Sequence, residues 1–238
     1  DYYCSEELDN LMLEWKIDIL HTVCPKYWHI LYPRFMTQGG KIDLGYTGYV
    51  TPLMRKRALS PKKRDERLYD VVYRASGKPS FPNKLATVKA ELGNIFLQHF
   101  SDQPWKMDIS NSDSKTIHGS SWWDFIENSR CVLGANSGSS NLIRNHDIVR
   151  SIASYINDNP FATDDEILKA CLEPEDREIL FTAISPRVLE AGLLNTVQIL
   201  VTGEYSGLIK PWEDFVPLQE NCSNREEIIC IVKDKALQ

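Results

Sequence analysis

The stretch Ile184-Ser185-Pro186-Arg187-Val188-Leu189-Glu190-Ala191-Gly192-Leu193-Leu194-Asn195-Thr196 decides how this chain is read, because it runs straight into the apolar segment Val197-Gln198-Ile199-Leu200-Val201. Pro186 suits the first turn of a helix, where its missing N–H costs nothing, and Ser185 just before it is placed to cap the exposed N–H groups. Val188, Leu189, Ala191 and Leu194 form the face that packs inward. A short amphipathic helix followed by a β-rich run is one step of a helix–strand alternation.

Working outward, the same alternation covers most of the chain. Tyr69-Asp70-Val71-Val72-Tyr73 is β-rich, 82–99 has helical spacing, and Trp105-Lys106-Met107-Asp108-Ile109 is again strand-like. A helix is expected at 120–128, a strand at 130–134, and helices near 145–157 and 163–172, the last opened by a capping-box pair, Thr163 and Glu166. A final helix opens at Ser223 with Glu226. The pattern predicts an α/β fold, a Rossmann-like parallel sheet with helices on both faces. Before it, 6–16 reads as a helix and Ile17–Val23 as a short strand ended by Pro25, after which Gly39, Gly40, Gly45, Gly48 and Pro52 break regular structure. A boundary is therefore expected near residue 65, with 1–64 the remnant of an N-terminal domain and its linker, and 65–238 one α/β domain.

With 238 residues and 42% hydrophobic content the chain has ample material for a core. No run of eighteen apolar residues occurs, and Asp1-Tyr2-Tyr3-Cys4 lacks the basic-then-apolar order of a signal peptide. The first residue is not methionine, and the expectation is a fragment of a larger protein. Cys4, Cys24, Cys131, Cys171, Cys222 and Cys230 are scattered with no Cys-x-x-Cys pair and no histidine cluster, so reduced thiols, no metal site and a cytoplasmic setting are expected. A net charge of −6 argues against nucleic-acid binding. The local basic run Arg55, Lys56, Arg57, Lys62, Lys63, Arg64 and Arg67 faces only Asp65 and Glu66. It reads as a solvated linker or helix face, with a second reading as a peripheral contact to an anionic membrane surface or a phosphorylated acceptor.

Residues that directly follow strands carry the functional weight in a doubly wound sheet. Arg187, in the first turn of its helix, is placed to bond a phosphate, and Glu190 on the same face to accept from two ribose hydroxyls. The plainer reading is an amphipathic helix with Arg187 and Glu190 as a solvated ion pair. The run Leu133-Gly134-Ala135-Asn136-Ser137-Gly138-Ser139-Ser140 reads either as a loop whose backbone N–H groups approach a phosphate or sugar, or as an ordinary tight turn. Glu204 and Tyr205, in Thr202–Pro211, are placed to meet a sugar or base, or are simply exposed. Gly134-Ala135-Asn136-Ser137-Gly138 does not satisfy Gly-x-Ser-x-Gly, and neither Gly-x-x-x-x-Gly-Lys-Ser/Thr nor Gly-x-Gly-x-x-Gly occurs, which disfavours a hydrolase, an NTPase or a dehydrogenase. His118 reads as a capping or packing residue.

Taken in order with Asp108-Ile109-Ser110, Trp122-Trp123-Asp124-Phe125-Ile126 and Phe215-Val216-Pro217-Leu218, these segments resemble the C-terminal, donor-binding half of a GT-B-type glycosyltransferase, of the bacterial group 1 and spore-maturation-like kind. The resemblance runs from about Tyr69 to Asp234. It implies metal-independent transfer of a sugar from a nucleotide-sugar to a saccharide or lipid-linked acceptor, with no cofactor and with the N-terminal domain supplying the acceptor side. It also implies that Arg74, with Lys78 beyond it, meets the donor diphosphate, that Ser185, Arg187 and Glu190 hold the nucleotide, and that Asn136, Ser137, Gly138, Ser139, Glu204 and Tyr205 lie near the donor sugar. The family usually has Glu-Ser-Gly-Ser where this chain has Asn136-Ser137-Gly138-Ser139. An amide there accepts a hydroxyl hydrogen bond but does not stabilise a developing positive charge, which admits a non-catalytic binding or assembly module as the alternative.

Overall fold

The computed structural model describes residues 3–77 and 79–233. The chain begins with α1 (Ser5–Glu14), β1 (Ile19–Thr22), α2 (Trp28–Leu31), α3 (Pro33–Thr37), β2 (Lys41–Leu44) and α4 (Pro52–Ala58). It continues with β3 (Tyr69–Arg74), α5 (Lys84–Phe100), β4 (Met107–Ser110), α6 (Ser120–Glu127), β5 (Ser129–Gly134) and β6 (Ser137–Asn141). The last elements are α7 (His146–Asp158), α8 (Asp164–Cys171), β7 (Arg177–Ala183), α9 (Pro186–Leu193), β8 (Val197–Val201), β9 (Val216–Leu218) and α10 (Arg225–Lys233).

These elements form two compact units, both discontinuous in sequence: Asp1–Thr47 with Pro79–Ala86 and Ser137–Ala183, and Gly48–Lys78 with Thr87–Asn136 and Ile184–Gln238. The sequence reading placed a single linear break near residue 65. The difference has a physical cause: β6 and β7 are far apart in the chain but pair with each other, so 137–183 closes as its own hairpin-and-helix excursion between β5 and α9.

The second unit carries a five-stranded, all-parallel sheet in the order β4-β3-β5-β8-β9. Counted within the unit this is 2-1-3-4-5, a doubly wound order whose direction reverses between β3 and β5. Both faces are covered. On one, α5 and α10 bring Leu92, Phe96, Phe100, Ile228 and Val232 against Val71, Tyr73, Cys131 and Leu133; on the other, α6 and α9 bring Phe125, Ile126, Ala191 and Leu194 against Val72 and Val132. Strands buried on two faces read as continuous apolar runs, and Val71, Val72 and Tyr73 accordingly have no exposed surface. The expected Rossmann-like α/β sheet with helices on both faces is therefore present here.

The first unit holds two small sheets, β1 parallel to β2 and β6 antiparallel to β7. Its cores are Met12, Leu31, Tyr32, Phe35, Leu142 and Phe181, and, under α7 and α8, Ile143, Ile152, Ile167 and Leu172. Thr163 and Glu166 close the expected capping box on α8. No helix among the described residues is long and apolar enough to cross a membrane.

Part of the basic run lies on a solvated helix face, as one reading of it expects, and part of it turns inward. Arg55, Lys56 and Arg57 sit on α4, and Arg57 pairs with Asp124 and Glu127. Arg67 is 7% exposed. Its guanidinium donates to the carbonyls of Lys62, Ser129 and Leu194 and to Thr196 Oγ1, at 2.7–3.2 Å. Burial lowers its pKa, but an arginine in this range remains a cation. Arg67 thus ties the approach to β3 to the amino ends of β5 and β8, and Arg64 donates to the Val232 carbonyl of α10. What sequence order presents as a charge patch is in part consumed as internal hydrogen bonding.

Candidate anion-binding site

In a doubly wound sheet the ligand crevice opens at the carboxyl ends of the strands, where the strand order reverses. Here that point is bounded by Arg74 at the end of β3 and Gly134 at the end of β5. A cavity of about 270 Å³ opens beside it, beyond the carboxyl ends of β3 and β4, lined by Arg74, Ala75, Ser76, Ser112, Thr116, Ile117, Trp122 and Arg187. A larger cavity of the same unit, about 580 Å³, is lined by Asp70, Trp105 and Arg130. Those residues sit at the amino ends of β3, β4 and β5, the end at which parallel sheets do not build their sites.

Arg187 is the centre of the smaller cavity's chemistry. It sits on the first turn of α9, as expected, and one Nη donates to the Arg74 carbonyl at 2.6 Å, but its buried Nε has no partner. Its guanidinium carbon lies 5.2 Å from the Tyr73 ring centroid and 5.1 Å from that of Trp122. The plainer reading, a solvated Arg187–Glu190 ion pair, does not hold: among the described residues no carboxylate is within salt-bridge distance of Arg187, and only a weaker field from Glu190 reaches it. Burial consequently lowers the Arg187 pKa, and burial followed by the Arg187 charge pushes Lys89 down to about 8. A buried cation lacking a counter-charge is costly, and an anion in the cavity relieves that cost.

Glu190 is held differently. Its two carboxylate oxygens accept the indole N–H groups of Trp122 at 2.7 Å and Trp123 at 3.3 Å. Trp122 therefore offers a face to the cation and an edge donor to the carboxylate. A carboxylate has about four lone-pair sites, so two remain on Glu190 for hydroxyl donors. Neither tryptophan stood out as a site residue in the sequence; the signal was their adjacency at the start of the helix that follows β4.

Other expected residues fall elsewhere. Arg74 lines the cavity, but its donors are engaged: Nη2 meets Asp108 Oδ1 at 2.7 Å, Nη1 the carbonyls of Tyr73 and Asp108, Nε that of Lys115, and the group lies 4.4 Å over the Phe125 ring centroid. Its contribution is charge and shape rather than free donors. Ser185 is the N-cap residue of α9 but makes no side-chain capping bond. Lys78 lies outside the described residues. The anticipated loop over 134–140 shrinks to Ala135 and Asn136, because Ser137, Gly138 and Ser139 belong to β6, paired with β7 in the first unit. Tyr205 is not a surface residue: it has no exposed area, donates to the Val201 carbonyl at 2.6 Å and packs edge-on against Phe215. Glu204 is exposed.

Asn136, just past β5, is 7% exposed, and its Oδ1 is buried with no partner. Gly203, after β8, lies against the Asn136 amide so closely that any Cβ at 203 would overlap it. A side chain at 203 would have to displace the Asn136 amide. The chain matches no family model, no curated protein and no solved structure.

Proposed function

We propose that the second unit binds the diphosphate of a nucleotide-sugar and serves as the donor-binding domain of a metal-independent GT-B-type glycosyltransferase. The observation that carries this reading is Arg187, a half-buried arginine whose buried Nε has no partner and which has no carboxylate in salt-bridge range, lining a cavity at the carboxyl ends of strands in a doubly wound sheet. A cavity of about 270 Å³ is just under the about 300–1,000 Å³ of ordinary ligand pockets, which suits phosphate groups with the ribose at the rim rather than an entire nucleotide. In this reading Arg187 and the N–H groups at the start of α9 offset the charge of the departing nucleoside diphosphate, and Glu190, oriented by Trp122 and Trp123, accepts the ribose hydroxyls. The resemblance of the ordered segments supplies the reaction class and an acceptor that is a saccharide or a lipid-linked saccharide.

The alternative is a glycosyltransferase-like module that binds without transferring. Asn136 favours it: the position that carries a glutamate in the resembling enzymes holds a neutral, buried amide here. Both readings require nucleotide binding. A thermal-shift panel of UDP, GDP, CDP and ADP tests it: at a hundred times Kd a ligand selective for the folded state adds about 2.7 kcal/mol, so at least one should raise the melting temperature by several degrees. No shift with any of the four at millimolar concentration removes the reading. Glu190→Gln should weaken a ribonucleoside diphosphate about tenfold and its 2′-deoxy counterpart less, since the deoxy ligand lacks one of the hydroxyls being accepted. Equal losses would take Glu190 off the ribose.

A further inference from the structure

Sequence spacing offered no metal site, yet the first unit brings together a thiol, a carboxylate and an imidazole from distant parts of the chain. Cys4 is the N-cap residue of α1, Glu7 lies one turn on, and His146 is the first residue of α7. One donor atom from each, the Cys4 Sγ, a Glu7 oxygen and a His146 ring nitrogen, all lie within 4.8 Å of one another. We propose that Cys4, Glu7 and His146 bind a zinc-class divalent ion, with the fourth position left to solvent.

Three observations support it. First, the arrangement is locked by the backbone: Cys4 N–H donates to the Ile143 carbonyl at 2.6 Å and Glu6 N–H to the Arg144 carbonyl at 2.9 Å, which pins the start of α1 beside the start of α7. Second, Glu7 is held in place by His146. Its Oε1 accepts the His146 backbone N–H at 2.8 Å and lies 3.2 Å from His146 Nδ1, while Oε2 is buried with no partner. An ordinary capping role accounts for Oε1 but leaves Oε2 and the adjacent buried thiol unexplained. Third, the donor set discriminates among ions: a thiolate with an imidazole and a carboxylate suits zinc, whereas magnesium and calcium take oxygen ligands. The Cys4 side is buried and the His146 side chain is 61% exposed, so the cluster has a closed wall and an open entry. Binding deprotonates the Cys4 thiol, with the proton released to solvent, and clips together two segments that the chain itself joins only through a long path.

The test is a Co²⁺ titration of the chelator-treated 238-residue chain. A single equivalent should bind with a thiolate-to-metal charge-transfer band, which Zn²⁺ abolishes and Mg²⁺ leaves unchanged. Cys4→Ser should eliminate the band, while serine at the exposed Cys230 should keep it. His146→Ala, at a largely exposed side chain, and Glu7→Gln should each weaken binding by about tenfold or more. Zn²⁺ should also raise the melting temperature of the parent chain by more than that of His146→Ala at the same metal concentration. Absence of a thiolate band from the folded parent chain overturns the proposal without reference to any variant, as does a band that survives Cys4→Ser.

Discussion

Replacing Arg67 with methionine is expected to cost about 3–5 kcal/mol of folding stability, because several buried neutral acceptors lose their shared donor and each one left unsatisfied costs about 1–3 kcal/mol. The guanidinium serves Lys62, Ser129, Leu194 and Thr196 together, so its removal leaves buried carbonyls at the amino ends of two neighbouring strands without donors. Methionine fills much of the volume, which separates the lost hydrogen bonding from cavity formation. Arg67→Lys should recover little, because a single ammonium does not span acceptors that the planar fork reaches from three nitrogens. Urea denaturation read by far-ultraviolet circular dichroism measures this. A change within about 0.5 kcal/mol is what an exposed linker or membrane-contact residue would show, and would return Arg67 to that reading.

Gly138→Ala is the second large effect, expected at about 3 kcal/mol or more. Gly138 has φ of +130°, and an alanine Cβ would run into the Phe181 carbonyl of the paired strand β7. Backbone on both sides leaves no flexible side chain to give way. Gly207 separates the two contributions: its φ is also positive, at +69°, but nothing lies within 4 Å of a Cβ there, so Gly207→Ala should cost only about 1 kcal/mol. Similar losses at 138 and 207 in denaturant melts would show that the β6–β7 approach is looser than described.

The glycines and serines of 134–140 show where sequence reasoning was limited. Ser137-Gly138-Ser139-Ser140 has little strand propensity, and its place in β6 is imposed by pairing with β7, a partner some forty residues away; such tertiary settings override local preference. The sheet of the second unit was legible for the opposite reason. Val71, Val72, Val132, Ile199 and Leu200 are apolar on both faces and alternate with amphipathic helices, so period and order coincide. The position of Arg187 was readable from Pro186 and the helix start. Its lack of a partner was not, because that depends on Glu190 being drawn away by Trp122 and Trp123, two residues on another helix. Tyr205 misled for a related reason: a Gly-Glu-Tyr-Ser-Gly run looks exposed, while its tyrosine turns into the core through a left-handed backbone conformation with φ of +44°.

Isothermal calorimetry on the parent chain and on Arg187→Ala, with whichever of the four nucleoside diphosphates shifts its melting temperature most, decides whether Arg187 meets a diphosphate. Arg187 is held to be the missing counter-charge to a bound diphosphate. The parent chain should bind measurably, and a folded variant should lose about 1.5–3 kcal/mol, roughly 10- to 150-fold in affinity. The substitution loses the hydrogen bond to the Arg74 carbonyl but also removes a cation that lacks a carboxylate partner, so the variant should stay folded with a stability within about 1–2 kcal/mol of the parent in the absence of ligand. Unchanged affinity in folded Arg187→Ala would take Arg187 off the ligand, and the cavity beyond β3 and β4 would lose its claim to the phosphate.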